Sequence, residues 1–420
     1  MIINILMFLC GLLVYAGYGI YGFLYLAGAV ALAYTFGRLI PKYKLLLWPG
    51  VALNGLYLLL LKLQPVTGFS LLAHLGISYF TLRIIAYMAD VYKGTQAPEK
   101  NIFRFALVMT YLPHLFLGPI EPYGSMSDAL FQNRRISWDG IGDGLARILW
   151  GGIKKLVIAA RLSVVIGVIT EDPSVYNGAN PLAACLLYSI LLYADFSGGI
   201  DMVLGISQML GMRLSENFQS PYSSQSIQEF WRRWHITLGA WFRTYVYIPL
   251  GGSRKGTFRK AVNTMVVFLL SGIWHGIEYL FWGIGHGVCV LFGNKLQTRW
   301  KLLNRLGTTL IVSLLWAFFV WPTAATAGTM LLSIVTTFNY GAFFTNIAVL
   351  GLTATDWVVL GVAVVLLTVD DGWTNKWKTL WAGLAPWKKT AVIGALALLL
   401  AVFGRYGMGF NVESFVYGGF

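Results

Sequence analysis

Apolar residues run in long unbroken stretches along this chain, and short polar segments divide them. A helix needs roughly 20 apolar residues to cross a bilayer core of about 30 Å. Stretches that meet or approach this length lie at 3–18, 20–40, 45–63, 70–92, 102–119 and 143–168. Others lie at 181–211, 261–281, 282–297, 306–322, 355–369 and 389–404. The runs do not alternate as barrel strands do, and lipid offers no partner to an open strand edge, so the pattern predicts helices. The expected fold class is an all-α polytopic membrane protein of about 10–12 transmembrane or re-entrant helices. There is no internal repeat, low-complexity linker or soluble domain, so residues 1–420 read as one integral-membrane domain. The opening MIINILMFLC has no basic n-region and reads as a retained first span rather than a cleaved signal.

The polar segments refine this picture. Residues 171–181 (EDPSVYNGANP) are acidic and free of Lys and Arg, which favours the outer side. The stretch 371–389 interleaves Trp with Lys, as interfacial segments do. Segment 212–260 is the most unusual. Between 227 and 260 it carries seven Lys or Arg and a single acid, Glu229, among many aromatics. It is too polar to span lipid as a simple helix and fits amphipathic pieces at the cytoplasmic interface, ahead of helices at 261–297.

Composition agrees. The chain is 57% hydrophobic and only 11% charged, and its mean hydropathy is +0.67. A soluble fold needs a larger polar skin, and a disordered chain needs far more charge. The net charge of +14 follows from cytoplasmic loops rich in Lys and Arg, with no need of a nucleic-acid partner. Cys10, Cys185 and Cys289 stand singly in apolar stretches, so neither a disulfide framework nor a zinc site is indicated.

Candidate chemistry centres on the five histidines: His74, His114, His235, His275 and His286. His235 closes Trp231-Arg232-Arg233-Trp234-His235, His275 sits in Ser271-Gly272-Ile273-Trp274-His275-Gly276, and His286 follows in Trp282-Gly283-Ile284-Gly285-His286-Gly287. An ionisable group at membrane depth is costly and usually faces a cavity or polar pathway. A histidine there can exchange a proton near neutrality, or it can hydrogen-bond between helices for packing. Two Trp-His pairs in neighbouring segments favour a shared site. His286 reads as helix glue or as support for that site, and spacing assigns nothing to His74 or His114. Asp195 and Asp201 are six residues apart, do not share a helical face, and read as helix-end anchors rather than an acid–base pair. No G-x-S-x-G elbow, HExxH, Cys/His cluster, GxGxxG or P-loop is present.

At these residues the sequence resembles the membrane-bound O-acyltransferase family, in its bacterial alginate O-acetylase-like branch. SIQEFWRRWHITLGAWFRTYVYIPLGGSR (226–254) and SGIWHGIEYLFWGIGHG (271–287) carry the resemblance. GISYFTLRIIAYMADVYKG (76–94), PHLFLGPIEPY (113–123), YSILLYADFSGGIDM (188–202) and SFVYGGF (414–420) support it. The chain departs from the branch in its late start, as if one N-terminal span were absent, in its GGF ending, and in Glu121-Pro122 after GPI.

The resemblance implies a helical bundle around a central funnel in the bacterial cytoplasmic membrane. It implies His275 as the catalytic residue and His235 as the second polar position, with His286 matching a recurring His-Gly. It implies transfer of an acyl group, acetyl in this branch, from a cytoplasmic thioester to a hydroxyl acceptor. The acceptor would be polysaccharide, lipid-linked or protein, with an extracytoplasmic SGNH-type acyltransferase as partner. The donor would be acetyl-CoA or an acyl-phosphopantetheine carrier, held as substrate, with no bound cofactor or metal. In that scheme neutral His275 takes the hydroxyl proton. Trp231, Trp234 and Trp274 wall the path against water. Arg232, Arg233 and Arg243 hold donor phosphates or, equally, anchor the membrane surface. D-alanyl transfer to teichoic acid from a carrier protein is the alternative chemistry, and a transporter or flippase the non-enzymatic one.

Overall fold

The computed structural model describes residues 2–17, 19–64, 76–132, 134–293, 297–337 and 350–406. Among them no strand occurs. His74 and the 414–420 tail lie outside the described residues.

In chain order the first helices are α1 (Ile2–Gly17), α2 (Ile20–Leu39), α3 (Leu47–Lys62), α4 (Ile77–Lys93), α5 (Ile102–Met109), α6 (Leu112–Phe116) and α7 (Tyr123–Phe131). The middle of the chain forms α8 (Trp138–Ile153), α9 (Ala160–Glu171) and α10 (Ala179–Met209). Then come α11 (Ile227–Arg233), α12 (Ile236–Phe242), α13 (Gly256–His275) and α14 (Leu280–Phe292). The last part forms α15 (Lys301–Leu315), α16 (Ala317–Val320), α17 (Ala324–Thr336), α18 (Ala354–Ala382) and α19 (Pro386–Phe403). By length and composition, the described segments able to cross a membrane are Ile20–Leu39, Lys44–Lys62, Ala179–Met209, Lys301–Val320 and Pro386–Phe403. Shorter apolar helices accompany them.

Several elements differ from the sequence pattern. The 102–119 run breaks into α5 and α6, because Pro113 cannot continue a helix that enters from Thr110. The 143–168 run is one rod whose middle, Lys154–Ala159, is a π-turn joining α8 to α9. The 261–281 run stops at His275, and its continuation is α14. Segment 212–260 does not simply lie on a surface. Phe230, Trp234, Trp241 and Phe242 are buried, and the Trp241 indole donates to the Leu82 carbonyl at 2.8 Å. Arg232 and Arg243 face outward.

α10 is the central pillar, and α8 packs antiparallel on it. A Cβ on Gly144 would sit 2.5 Å from the Gly205 carbonyl oxygen, and one on Gly151 would sit 2.5 Å from the Gly198 carbonyl oxygen. The seven-residue spacing on both helices puts backbone against backbone at two levels. Charges then cross the same seam. Lys154 pairs with Asp201 at 2.9 Å, Arg147 bridges Asp201 and Glu216, and Lys155 pairs with Asp195. Both aspartates therefore staple mid-helix positions of α10 to the α8–α9 rod. They are not helix-end anchors, because their lysine partners emerge at the π-turn.

Two expectations follow. Gly151→Leu forces α8 away from Gly198 and costs about 1–3 kcal/mol by overpacking. Gly167→Ala, where a Cβ meets nothing within 4 Å, leaves the melting temperature in detergent unchanged or raises it; the pair of thermal shifts checks the seam. In the 94–101 connection, burial pushes the Glu99 carboxyl up. The Asn101 N–H, the Tyr123 hydroxyl, the Lys100 N–H and the Arg104 charge outweigh that and hold it below the usual range. A lowered carboxylate stabilises fully above its unfolded pKa of about 4.3 and loses that contribution as pH falls through the folded value. Glu99→Gln should flatten the acid limb of the melting-temperature profile and lower its neutral plateau.

Candidate functional site

α13 and α14 form a tight hairpin because glycine occupies each crossing point. A Cβ on Gly272 would lie 2.8 Å from the Tyr279 carbonyl oxygen, and one on Gly283 would collide with the Phe268 carbonyl. Gly276 ends α13 at φ 153°, where a side chain would meet the Glu278 carboxylate at 2.6 Å. His275 is thereby the last residue of the helix, about 28 Å along its axis from Gly256. Its ring is buried and meets Trp274 at 4.7 Å, Trp282 and Phe319 at 5.4 Å each, and Tyr279 at 6.3 Å.

His235 arrives by a different device. It links α11 to α12 in the left-handed region, at φ 45°, ψ 53°. Asn217 holds the following turn: its carbonyl accepts from Ile236 N at 2.9 Å, and its Oδ1 accepts from the Thr237 hydroxyl at 2.5 Å. A non-glycine residue held there costs of order 1–3 kcal/mol, a strain that gathers at functional sites. The ring is 2% exposed and lies 4.8 Å from Phe196, 6.2 Å from Tyr79 and 6.3 Å from Trp274. Among the described residues neither His235 nitrogen has a hydrogen-bond partner, nor do Tyr79 Oη or Trp274 Nε1. These donors and acceptors from α4, the α11–α12 link and α13 are buried around one another.

The third histidine joins from α14. His286 is fully buried, and its Nδ1 accepts from Trp231 Nε1 at 3.3 Å. Imidazoles and indoles thus alternate through the bundle: His235, Trp274, His275, Trp282, His286, Trp231. Successive centroids are 6.3, 4.7, 5.4, 5.0 and 4.9 Å apart.

Other sequence candidates fall elsewhere. Trp234 packs with Phe218, Phe230 and Trp316, and has Trp274 beyond ring contact, so it belongs to the aromatic core. Arg233 is engaged by Glu229 at 2.7 Å, whereas Arg232 and Arg243 are exposed. His114 is buried against Tyr111 on α6, apart from this row of rings. Among the described residues, no three His, Cys, Asp or Glu side chains group as metal ligands would.

Sequence reasoning missed Tyr79, Glu278, Tyr279 and Phe319. Tyr279 and Phe319 stack at 4.2 Å and 22°. Both touch His275, and they also line a cleft of about 230 Å³ bounded by Glu278 and residues 318–324. Nothing in the spacing marks Phe319, which comes from α16. Trp282 did carry a signal, since it precedes His286 by one helical turn.

A family profile described as MBOAT, membrane-bound O-acyltransferase family, matches residues 100–337. A protein named probable alginate O-acetylase from Pseudomonas fluorescens is 38% identical over 289 residues, 67% of this chain and 56% of its own length. A peptidoglycan O-acetyltransferase from Helicobacter pylori is 33% identical over 285 residues, 59% of this chain and 54% of its own length. A teichoic acid D-alanyltransferase from Bacillus subtilis is 28% identical over 271 residues, 59% of this chain and 67% of its own length. The chain spans about half the length of the two O-acetylating relatives.

The strained turn makes its own prediction. Asn tolerates the left-handed region and β-branched residues do not. His235→Asn should keep the melting temperature in detergent near that of the parent, while His235→Val lowers it by the equivalent of about 1–3 kcal/mol.

Proposed function

The chain belongs to the membrane-bound O-acyltransferase family, and from that premise we propose that it moves an acetyl group from a cytoplasmic thioester to a hydroxyl acceptor serving an exported cell-envelope polysaccharide. The observation that carries this reading is the position of His275. It ends a helix that begins beside exposed Arg254, Lys255 and Arg259, and the stacked Tyr279–Phe319 pair both touches it and lines a cleft. In this reading the hydroxyl reaches the ring past the aromatic pair and the thioester from the end of α13 that begins at Gly256. Acetyl is favoured over D-alanyl by the higher identity to the relatives named for O-acetylation, 38% and 33% against 28%.

In the step we propose, the acceptor oxygen attacks the thioester carbonyl. A C–O bond forms, the C–S bond breaks, neutral His275 takes the hydroxyl proton and returns it to the departing thiolate. The products are an O-acetyl ester and a thiol, so no net proton is gained or lost. His235, with Tyr79 Oη and Trp274 Nε1 near it, supplies hydrogen bonds to the thioester carbonyl or to a water that orients it. Trp274 and Trp231 belong to the rings that exclude water. Arg232 and Arg243 meet the phosphates of acetyl-CoA or of an acyl-phosphopantetheine carrier, and Arg233 fixes α11 through Glu229. An SGNH-type extracytoplasmic enzyme is the partner that would carry the acetyl onward.

The test uses membrane vesicles containing the full chain and radiolabelled acetyl-CoA, read as thiol release and as hydroxylamine-labile acetyl ester. His275→Ala should lower the rate by about 10²–10⁴-fold, the usual worth of a positioned general base. Wild-type rates from folded His275→Ala protein remove His275 from the mechanism.

A further inference from the structure

His286 takes no part in the step above, yet its ring is 0% exposed and its environment is specific. Trp231 Nε1 donates to its Nδ1 at 3.3 Å, which assigns the neutral ring's proton to Nε2. Trp231 crosses the imidazole at 88°, so the indole fixes both the tautomer and the plane of the ring. His286 also meets Trp282 at 5.0 Å and 65°, and Trp231 touches Trp282 directly at 5.5 Å and 80°, so the three rings pack as a triangle. Trp282 is 1% exposed and reaches His275 edge-on at 5.4 Å and 82°. Trp316 stacks on Trp282 at 5.8 Å and 21°, closing its remaining face.

We propose that His286 and Trp231 are positioning residues that hold Trp282, and through it the orientation of the His275 imidazole. This rests on the reading of His275 as the base. The physical case is that Trp282 touches both imidazoles and has no free direction to tilt. If His286 is cut back, the indole gains room on one side, and the edge contact that limits His275 rotation loosens. Trp231 itself is anchored. Its helix α11 is capped by Ser226, whose Oγ accepts from Glu229 N at 3.1 Å, and Gln228 on the same helix donates to the Val290 carbonyl of α14. The same short helix carries exposed Arg232. The orientation of a deeply buried base is thereby tied to α11 by the Trp231–His286 hydrogen bond and by the direct edge contact of Trp231 with Trp282.

Catalysis responds steeply to such loosening, since a displacement of about 1 Å in a reacting group costs on the order of 10²-fold. The experiment compares thiol release from acetyl-CoA by the full chain in vesicles for His286→Ala, His286→Asn, Trp231→Phe and His275→Ala. Asn places Oδ1 where His carries Nδ1 and so keeps the acceptor for Trp231; Phe keeps most of the Trp231 ring and removes the donor. His286→Ala and Trp231→Phe should each lower kcat by about 10- to 100-fold with KM for acetyl-CoA unchanged, and His286→Asn should recover most of that loss. Wild-type kcat in folded Trp231→Phe overturns the proposal, even where His286→Ala fails to fold. So does a raised KM at wild-type kcat, which would mark a donor contact. A wild-type rate in His275→Ala overturns the underlying reading instead, whatever the His286 variants do.

Discussion

The contact between α13 and α14, backbone against backbone at Gly272 and Gly283, is what the rest of the site depends on. With any side chain at either glycine the helices stand further apart, and Trp282 no longer reaches His275. Gly276 completes the constraint. Its positive φ stops the helix one residue after the imidazole, and the Glu278 carboxylate occupies the space a Cβ would need. The catalytic candidate is therefore located by three positions without side chains. This is an economical way to aim a ring inside lipid, where packing and not hydrophobic burial drives helix association.

A second scaffold supports the first from across the bundle. The glycine seam between α8 and α10 admits Lys154, Lys155 and Arg147 to the carboxylates of α10. Removing a charge from water costs several kcal/mol, and only close pairing with good geometry repays it. The net stabilisation from these pairs is accordingly small, but breaking one leaves a lone charge in the bundle, so they fix register. The face of α10 that bears Phe196 then sits where His235 needs a wall, 4.8 Å from its ring. Register in one helix pair thus sets a distance in the site.

Much of this was legible in the sequence, and the boundary is physical. Long apolar runs identify helices because lipid permits little else, and the two Trp-His strings single out candidate rings, of which the fold brings His235, Trp274 and His275 together. What periodicity cannot supply is pairing across the bundle. Asp195 and Asp201 looked like anchors of a helix end because their partners, Lys155 and Lys154, stand some forty residues earlier inside another apolar run. Phe319 and Tyr79 are ordinary aromatics in apolar segments until the fold brings them to His275 and His235. Trp231 and Trp234 are three residues apart in one string, yet only Trp231 meets a histidine, because the short α11 ends between them and turns Trp234 into the core. Arg232 and Arg233 divide the same way, one outward and one to Glu229.

The choice of rings around the histidines has its own logic. On the proposed function the base must be enclosed, because a thioester is lost to hydrolysis wherever water reaches it together with a base. Aliphatic side chains would exclude water as well, but they offer no edge or N–H to an imidazole and leave its rotation unrestrained. Indole and phenyl rings exclude water and hold a crossed geometry, each contact worth about 0.5–1.5 kcal/mol beyond burial. Trp274, Trp282, Tyr279 and Phe319 give His275 four such neighbours. Two of them, Tyr279 and Phe319, also line the cleft bounded by Glu278 and residues 318–324, so the rings that restrain the imidazole lie between it and that opening. On the proposed function, restraint of the imidazole and control of access from the cleft are then a single property of one aromatic stack.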